Sequence, residues 1–562
     1  MRLLLLASVF CVYWPTLRAG FVTWDDGLNI VHNPHLGFSL DKIQWMFTDC
    51  TYVRRYMPLG WLSYSIDRQF FAGAPLSCHF GNVLLHAINA MLLLEIIQSF
   101  FLIRLPHVEK NSISFASCLG ALSWALNPLR TEPVAWASGR IYGVATLFFF
   151  LSVYLYLQHG KIAGSRRFVW LSALFFSLSL FTYPIALGGL AVFILLDIFV
   201  LNRIPQNPRL WFQAENAKVL LEKMAFLLPL AISFGVNLWG RLNHAWEPVI
   251  SYADFSFPAR LMQAFWVWSW YLWKPWLPLN LAPRYPDLMG NAPFTAAHIS
   301  AALLLLALAA LLVLRRKNSP ALLFAWLCHM ALISPFIGFT EHPHHTFDRY
   351  SHIAGIVWAA ILAGVLIQAR ANQRLHSIIL RGALLGCVLL GFLAHTQTVV
   401  WNNSLNLHSA MAHSLGRDPE RATHEVMSAF ILLSENRPAE AEARLRLAIE
   451  VNPRMAEAWA ALGDALSDQK QTEEAISSFK HALELKADLN AARQNLGVTL
   501  AMAGRHEEAI GEFQTILRNK PDSAATHRNL AVSLQHLGRL EDSKRHMQEF
   551  RRLHDADTKG SS

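Results

Sequence analysis

The chain has 562 residues, of which 54% are hydrophobic and 15% are charged. This balance and length exclude a soluble single-domain protein and indicate a membrane protein. The formal net charge is +9, but the basic residues form no stripe interleaved with aromatics and match no nucleic-acid motif, so we predict no nucleic-acid partner.

Apolar segments dominate residues 1–416, and about 20 apolar residues suffice to cross the hydrocarbon core as a helix. We therefore predict an all-α, polytopic membrane helical bundle of about 11 spans embedded in a lipid bilayer. The spans are near 3–17, 80–103, 113–127, 141–158, 169–183, 185–201, 223–240, 297–314, 320–336, 351–368 and 378–398. The first begins like a signal peptide, but no small-residue cleavage site follows, so we interpret it as an uncleaved span.

Basic residues recur in alternate loops, as in Arg166-Arg167 and Arg315-Arg316-Lys317. Placing these loops in the cytoplasm satisfies the positive-inside rule and puts the N-terminus in the cytoplasm. The stretch FVTWDDGLNIVHNP, with Asp25 and Asp26, then lies in the first outer loop. The odd number of spans places the polar tail outside the cytoplasm.

The second predicted span carries a polar stripe, because His79, Asn82 and His86 share one helical face. Polar side chains in a membrane helix are expected to face the bundle interior. They either line a cavity or form only hydrogen bonds between helices.

Residues 262–277, MQAFWVWSWYLWKPWL, are apolar enough to enter the membrane. A full crossing here would reverse every later loop, so we predict a horizontal or re-entrant helix on the outer face. Trp266, Trp270 and Trp273 recur at helical spacing, which is typical of an interfacial belt. Stacking on a sugar or an isoprenoid is the alternative.

The stretch EHPHHTFD at 341–348 has enough donor atoms for a divalent cation, in Glu341, His342, His344, His345 and Asp348. Its spacing matches no established metal motif. Polar residues that contact an acceptor are the alternative, and we assign no metal ligand and no certain cofactor.

Residues 417–562 repeat with a period of 34, since Leu462-Gly463 recurs as Leu496-Gly497 and Leu530-Ala531. This pattern predicts a tetratricopeptide α-solenoid with three clear units and a degenerate one at 420–453. Such an array binds peptides or proteins in its groove, and a structural spacer is the alternative.

Several stretches resemble, in order and spacing, the transmembrane-and-tetratricopeptide O-mannosyltransferase family and its bacterial relatives, of the GT-C glycosyltransferase superfamily. Besides the WDD stretch they are RYMPLGWLSYSIDRQF, HFGNVLLHAINAMLLL, NPLRTEPVAWASGR, YLWKPWLPLNLAPRYP, FDRYSHIAG and VVWNNSLNL. The resemblance implies transfer of a sugar, such as mannose, from a polyprenyl-phosphate-linked donor to a hydroxyl of an extracytoplasmic protein bound by the repeats. A non-catalytic membrane-anchored scaffold for protein complexes is the alternative function.

In this superfamily an acidic residue of the first outer loop is the catalytic base, which by position is Asp25 or Asp26. Two adjacent carboxylates cannot both face one acceptor oxygen, so we expect the second to orient the acceptor or the backbone. The remaining substrate-binding candidates are His79, Asn82, His86, the acidic Glu132, and the outer-loop arginines Arg54, Arg55, Arg130, Arg140 and Arg349. Each arginine either binds the donor phosphate or interacts with lipid phosphate at the interface.

The chain departs from its relatives at two positions, with Asn127-Pro128 where they commonly have His-Pro and Tyr183-Pro184 where they commonly have Lys-Pro. These changes weaken the expected electrostatic clamp on the donor phosphate. Compact loops and the form of the motifs favour a bacterial inner membrane with the repeats in the periplasm. An endoplasmic reticulum membrane with lumenal repeats is the alternative.

Overall fold

A computed structural model describes residues 1–161, 166–243, 256–286, 294–338 and 346–560. These residues form helices joined by turns and irregular segments, with no strand among them. The predicted all-α fold is confirmed. The chain divides into two compact units, Met1–Leu407 and His408–Ser562.

Sixteen α-helices lie within the described residues of the first unit. In chain order they are α1 (Arg2–Tyr13), α2 (Leu40–Thr48), α3 (Pro58–Phe71), α4 (Pro75–Arg104), α5 (Lys110–Ala125), α6 (Thr131–Ala135), α7 (Arg140–Lys161), α8 (Arg167–Thr182), α9 (Gly189–Phe199), α10 (Ala214–Leu221), α11 (Met224–Leu242), α12 (Phe257–Trp273), α13 (Ala296–Leu314), α14 (Pro320–Ile333), α15 (Ile356–Ala369) and α16 (Gln373–Gln397).

In the part of the chain that the structure describes, five helical stretches are long and apolar enough to cross a membrane. They are Pro75–Arg104, Ala137–Gly160, Asn216–Leu242, Ala296–Leu314 and Gln373–Trp401. Four shorter apolar helical stretches are Arg167–Thr182, Pro184–Phe199, Pro320–Phe336 and Ile356–Ala369. The tryptophan-rich segment lies on α12, where Trp270 is buried and Trp273 is exposed.

Prolines follow the C-terminal ends of α5 and α8. Pro128 and Pro184 each begin a short 3-10 turn within three residues of the preceding helix. Proline has no backbone N–H and disfavours helical geometry in the preceding residue, so Asn127 and Tyr183 are extended. The chain therefore changes direction at both points and presents polar loop residues to neighbouring helices.

The second unit contains the repeats as antiparallel helix pairs. Its helices are α17 (Ser404–Leu415), which begins in the first unit, α18 (Arg421–Ser434), α19 (Pro438–Val451), α20 (Ala456–Asp468), α21 (Thr472–Leu485), α22 (Asn490–Met502), α23 (His506–Asn519), α24 (Ala524–His536) and α25 (Leu540–Gly560). Composition predicts a boundary after residue 416, whereas the units divide after Leu407. The difference arises because Met411 and Leu415 of α17 are buried and Ser409 accepts a hydrogen bond from Arg444 of α19.

Small residues bring the paired helices together. A Cβ atom added at Gly463 would lie 2.6 Å from the ring of Phe479, and one at Gly497 would lie 2.5 Å from the ring of Phe513. Both distances are shorter than any normal contact. The period of 34 thus places a glycine of one helix against a phenylalanine of the next in successive units.

The turn inside each pair also repeats. Asn436, Lys470, Gly504 and Gly538 follow one another at intervals of 34 residues, and all four have positive φ, at 58°, 63°, 78° and 74°. Glycine adopts this left-handed conformation without steric strain, whereas the Cβ atom of other L-residues makes it energetically unfavourable. The turn geometry is therefore kept even where the residue type is unfavourable.

Gly504→Ala is expected to lower the free energy of unfolding by about 1 kcal/mol, because alanine is strained at a positive φ. Gly511→Ala is the matched control, since Gly511 lies inside α23 and its added Cβ would meet nothing within 4 Å. That change should raise stability, by up to about 1 kcal/mol. Thermal unfolding of the full chain measures both, and equal shifts of the same sign would contradict the assignment.

Candidate functional site

Asp26 is a buried anchor. One of its carboxylate oxygens accepts hydrogen bonds from the backbone N–H and hydroxyl of Ser138, at 3.0 and 2.6 Å. The other accepts from the backbone N–H of Val22, at 2.9 Å. Burial raises the pKa of Asp26 to about 6, and the bonds from Ser138 and Val22 oppose that rise. Asp26 therefore ties the first loop to the turn at Ala137–Gly139.

Asp25 points elsewhere and remains accessible. Its carboxylate lies 3.6 Å from a guanidinium nitrogen of Arg55, and the two side chains are 29% and 28% exposed. The Arg55 guanidinium also lies over the ring of Tyr183, 5.8 Å from the ring centre. A carboxylate that remains accessible to solvent can accept a proton from a bound hydroxyl. An arginine beside it can bind an anionic group of a ligand.

Arg349 is connected to Arg55 through contacts with Tyr142 and Tyr183. Its Nε donates to the hydroxyl of Tyr142 at 3.1 Å, and that hydroxyl lies 3.4 Å from the hydroxyl of Tyr183. The guanidinium forms a close ion pair with Glu132, whose second oxygen accepts from the Arg349 backbone N–H at 2.8 Å. The Glu132 carboxylate thus fixes both the backbone and the side chain of Arg349.

Asp348 is buried beside this pair. It accepts a hydrogen bond from the hydroxyl of Tyr285 at 2.7 Å. Burial, with repulsion from Glu132, raises the pKa of Asp348 to about 8, while Tyr285, Lys274 and Arg130 oppose the rise. Asp348 is therefore largely protonated at neutral pH.

Arg140 is held inside the fold by three segments. It pairs with Asp67 at 2.8 Å, donates to the side chain of Asn82 at 2.6 Å and donates to the backbone carbonyl of Cys78 at 2.8 Å. These acceptors engage its guanidinium, so the structure brings Arg140 to Asp67 and not to Asp25.

The polar stripe of α4 is engaged in packing. Asn82 donates to the carbonyls of Trp136 and Ala137, at 2.8 and 3.3 Å. His79 lies 3.3 Å from the carbonyl of Gly20, and His86 lies 2.9 Å from the carbonyl of Ala125. All three stripe residues are buried. Their contacts correspond to the alternative of hydrogen bonding between segments.

Three more residues from the sequence analysis, Asn127, Arg130 and Arg54, differ in their surroundings. Asn127 accepts from the backbone N–H of Leu129 at 3.1 Å and donates to the carbonyl of Pro275 at 3.0 Å, so it joins two loops. Arg130 is buried near Trp124, with its guanidinium 5.7 Å from the ring centre. The Arg54 side chain lies outside the described part.

Residues 341–345 of the predicted cation cluster lie outside the described residues. Within the described ranges, no group of three or more His, Cys, Asp or Glu residues could hold a metal ion.

A groove of about 320 Å³ is lined in part by Tyr183, Tyr350 and Asn237 of α11. The Arg55 guanidinium lies 5.8 Å from the ring centre of Tyr183, and the Arg349 guanidinium lies 5.3 Å from that of Tyr350. The Asn237 side chain accepts from the backbone N–H of Tyr56 at 3.2 Å. Sequence reasoning did not select Tyr142, Ser138 or Asn237. Ser138 carried a signal, since it lies in the matched stretch NPLRTEPVAWASGR.

The fold and this cluster define a class: a helical protein with membrane-length helices, a partly exposed first-loop carboxylate beside a partly exposed arginine, and a repeat array. Tetratricopeptide-repeat families match residues 456–489, 482–524 and 495–554. The predicted tetratricopeptide repeats are confirmed.

Curated relatives give the particular resemblance. The chain is 29% identical to Protein O-mannosyl-transferase TMTC4 of Mus musculus over 233 residues, 35% of this chain and 31% of that protein. It is 29% identical to TMTC2 of Homo sapiens over 246 residues, 41% of this chain and 27% of that protein. It is 26% identical to TMTC3 of Mus musculus over 176 residues, 30% of this chain and 18% of that protein. The chain spans less than a third of the length of these relatives, and they confirm the predicted resemblance to the O-mannosyltransferase family.

Solved structures with some similarity include the crystal structure of MamA, 18% identical with a TM-score of 0.26, covering 27% of this chain and 90% of that one. The crystal structure of YrrB, a tetratricopeptide protein with an unusual peptide-binding site, is 19% identical with a TM-score of 0.24, covering 26% of this chain and 75% of that one.

The two aspartates are expected to respond differently to amidation. Asp26→Asn should lower the free energy of unfolding by about 1–3 kcal/mol, because an amide N–H would face a backbone N–H in a buried site. Asp25→Asn should change it by less than about 1 kcal/mol, since its ion pair is partly exposed. Thermal unfolding in detergent compares the two, and equal destabilisation would contradict the anchor assignment.

Asp348 should make stability depend on pH. Its pKa is about 8 in the folded chain against 3.8 for an ordinary aspartate, so the folded chain binds the extra proton and its contribution to stability is lost as pH rises from about 4 to about 8. Asp348→Asn keeps the bond from Tyr285 and removes this titration. Melting temperature measured from pH 5 to 8 should therefore fall less in Asp348→Asn than in the natural chain.

Asp488→Asn, which changes an exposed carboxylate, is the control and should leave the slope unchanged. An Asp348→Asn slope equal to that of the natural chain would show that Asp348 does not titrate in this range.

Proposed function

We propose that this protein is an inverting GT-C glycosyltransferase that moves a sugar from a polyprenyl phosphate to a hydroxyl of an extracytoplasmic protein. The observation that carries the proposal is the partly exposed carboxylate of Asp25, 3.6 Å from Arg55 in the first loop. The relatives named as O-mannosyltransferases support the transferase class and make mannose the first sugar to test.

In the proposed reaction, the acceptor hydroxyl attacks the anomeric carbon of the sugar while the bond from that carbon to the phosphate oxygen breaks. Asp25 takes the hydroxyl proton, and the phosphate leaves on its lipid with the bonding electrons. Both oxygens of Asp26 already accept hydrogen bonds, from Ser138 and Val22, which supports assigning this role to Asp25 rather than to Asp26.

Arg55 is the proposed first contact of the leaving phosphate, and Arg349 supports it from behind. The Arg55 guanidinium lies over the ring of Tyr183, which lines the groove of about 320 Å³, and Arg349 donates to the hydroxyl of Tyr142. Each guanidinium also has a carboxylate neighbour, Asp25 for Arg55 and Glu132 for Arg349, so Arg55, whose pair is looser, is the one placed to meet the phosphate. A preorganised cation stabilises charge that develops on the leaving group without reorganisation. Tyr183 stands where relatives have lysine, and we propose that its hydroxyl supplies a neutral donor instead.

Eleven spans remain the proposed topology, with the repeats on the outer face of a bacterial inner membrane. Each of the eleven predicted segments overlaps a helix of the first unit, which supports the count. A periplasm-active reporter fused after residue 562 should be active and one in the cytoplasmic loop 202–222 inactive. The reverse pattern would overturn the topology.

Asp25→Asn should reduce transfer by at least about 10²-fold, because the loss of a general base removes the proton acceptor. The measurement is mass spectrometry of periplasmic glycoproteins in cells that carry only the variant. Asp41→Asn, an exposed carboxylate near the same loop, is the matched control and should keep transfer. Full glycosylation with Asp25→Asn would overturn the assignment.

The repeat array favours a second candidate function, a membrane-anchored scaffold that assembles proteins. Tetratricopeptide repeats cover residues 456–554 and are the feature of this chain most typical of protein binding. A scaffold predicts that deletion of residues 417–562 reproduces the full null phenotype while Asp25→Asn has none. The transferase predicts a null phenotype for Asp25→Asn with the array intact.

A further inference from the structure

Arg130 is a buried cation that forms no ion pair among the described residues; Asp348, whose carboxyl group interacts with this charge from beyond ion-pair distance, is largely protonated at neutral pH. Its side chain is 1% exposed, and its Nε and Nη1 have no hydrogen-bond acceptor among the described residues. The two other buried arginines of the predicted site are paired, Arg140 with Asp67 and Arg349 with Glu132. A buried charge is costly unless an opposite charge compensates it, so this guanidinium is suited to an anion from outside the chain.

Arg130 lines a groove of about 450 Å³, within the size range of small-ligand sites. The other walls are mainly apolar: Trp124 of α5, Trp276 and Leu277 after α12, Trp358 of α15 and Leu390 of α16. This groove and the groove beside Tyr183 have no lining residue in common.

Glycines shape the groove in two ways. A Cβ added at Gly382 or Gly386 of α16 would meet nothing within 4 Å, so this wall of the groove is open. A Cβ at Gly355 would lie 2.8 Å from Nη2 of Arg130, so glycine there allows the guanidinium its position. The groove is therefore open along α16, whereas the Arg130 guanidinium packs closely against Gly355.

We propose that this groove binds a phospholipid of the surrounding bilayer, with the phosphate on Arg130 and an acyl chain along the apolar wall. The charge of Arg130 complements phosphate, and a guanidinium can donate two parallel hydrogen bonds to it. The apolar walls belong partly to α15 and α16, both of which lie in the apolar helical stretches of the first unit. The site goes beyond the proposed transfer reaction and needs only membrane insertion.

The test is native mass spectrometry of the full chain in detergent, with phosphatidic acid, phosphatidylcholine or inorganic phosphate added. Phosphatidic acid is the main probe because its phosphate carries no further headgroup to obstruct a buried cation. One phosphatidic acid should be retained per chain, in preference to phosphatidylcholine. Arg130→Gln should lower its retention at least about tenfold, since charge-assisted hydrogen bonds are lost.

Two variants keep the result interpretable. Gly386→Phe fills the open wall and leaves the guanidinium in place, so it should also lower retention even where Arg130→Gln fails to fold. Arg374→Gln removes an exposed arginine of α16 and should retain the lipid as the natural chain does.

The proposal is overturned if Arg130→Gln, correctly folded, and Gly386→Phe both retain phosphatidic acid normally. Retention of inorganic phosphate alone would indicate a free-anion site, and a dimer that Gly386→Phe dissociates would indicate an interface between two copies. Loss of the lipid in Arg55→Gln but not in Arg130→Gln would place it in the donor site. Because transfer is not the readout, failure of this proposal is separate from failure of the transferase proposal.

Discussion

The buried carboxylate of Asp26 is the interaction on which the candidate site depends. It fixes the first loop to Ser138, and the same turn is held from other sides by Asn82 of α4 and by the hydroxyl of Tyr64, which donates to the Ser138 carbonyl at 2.7 Å. Three segments distant in sequence therefore converge on one turn. With that turn fixed, the neighbouring Asp25 is held facing Arg55.

Burial makes two identical neighbours chemically different. Asp26 has its charge desolvated and its oxygens occupied, whereas Asp25 keeps solvent access and a single cationic neighbour. The same division applies to the arginines. Arg140 joins helices, Arg349 is fixed by Glu132, and Arg130 faces an apolar groove. Access and counter-ions, rather than residue type, separate a structural arginine from one that can meet a ligand.

Much of the architecture could be predicted from the sequence because it depends on local periodicity. The apolar segments and the 34-residue repeat are local patterns, and a glycine facing a phenylalanine, as in Gly463 and Phe479, follows from the repeat alignment. The site could be predicted only as a list of polar outer-loop residues. Its pairings could not, because Arg140 with Asp67 and Arg349 with Glu132 join segments 73 and 217 residues apart (140 − 67 and 349 − 132).

By itself the sequence determined an all-helical chain with apolar segments followed by a tetratricopeptide array, since helix periodicity and repeats are properties of neighbouring residues. It also placed two aspartates in the first loop. Only the tertiary structure decided which aspartate is buried, which arginines form ion pairs and that Arg130 forms none among the described residues. The physical reason is that desolvation and charge pairing depend on distant segments, which no local pattern specifies.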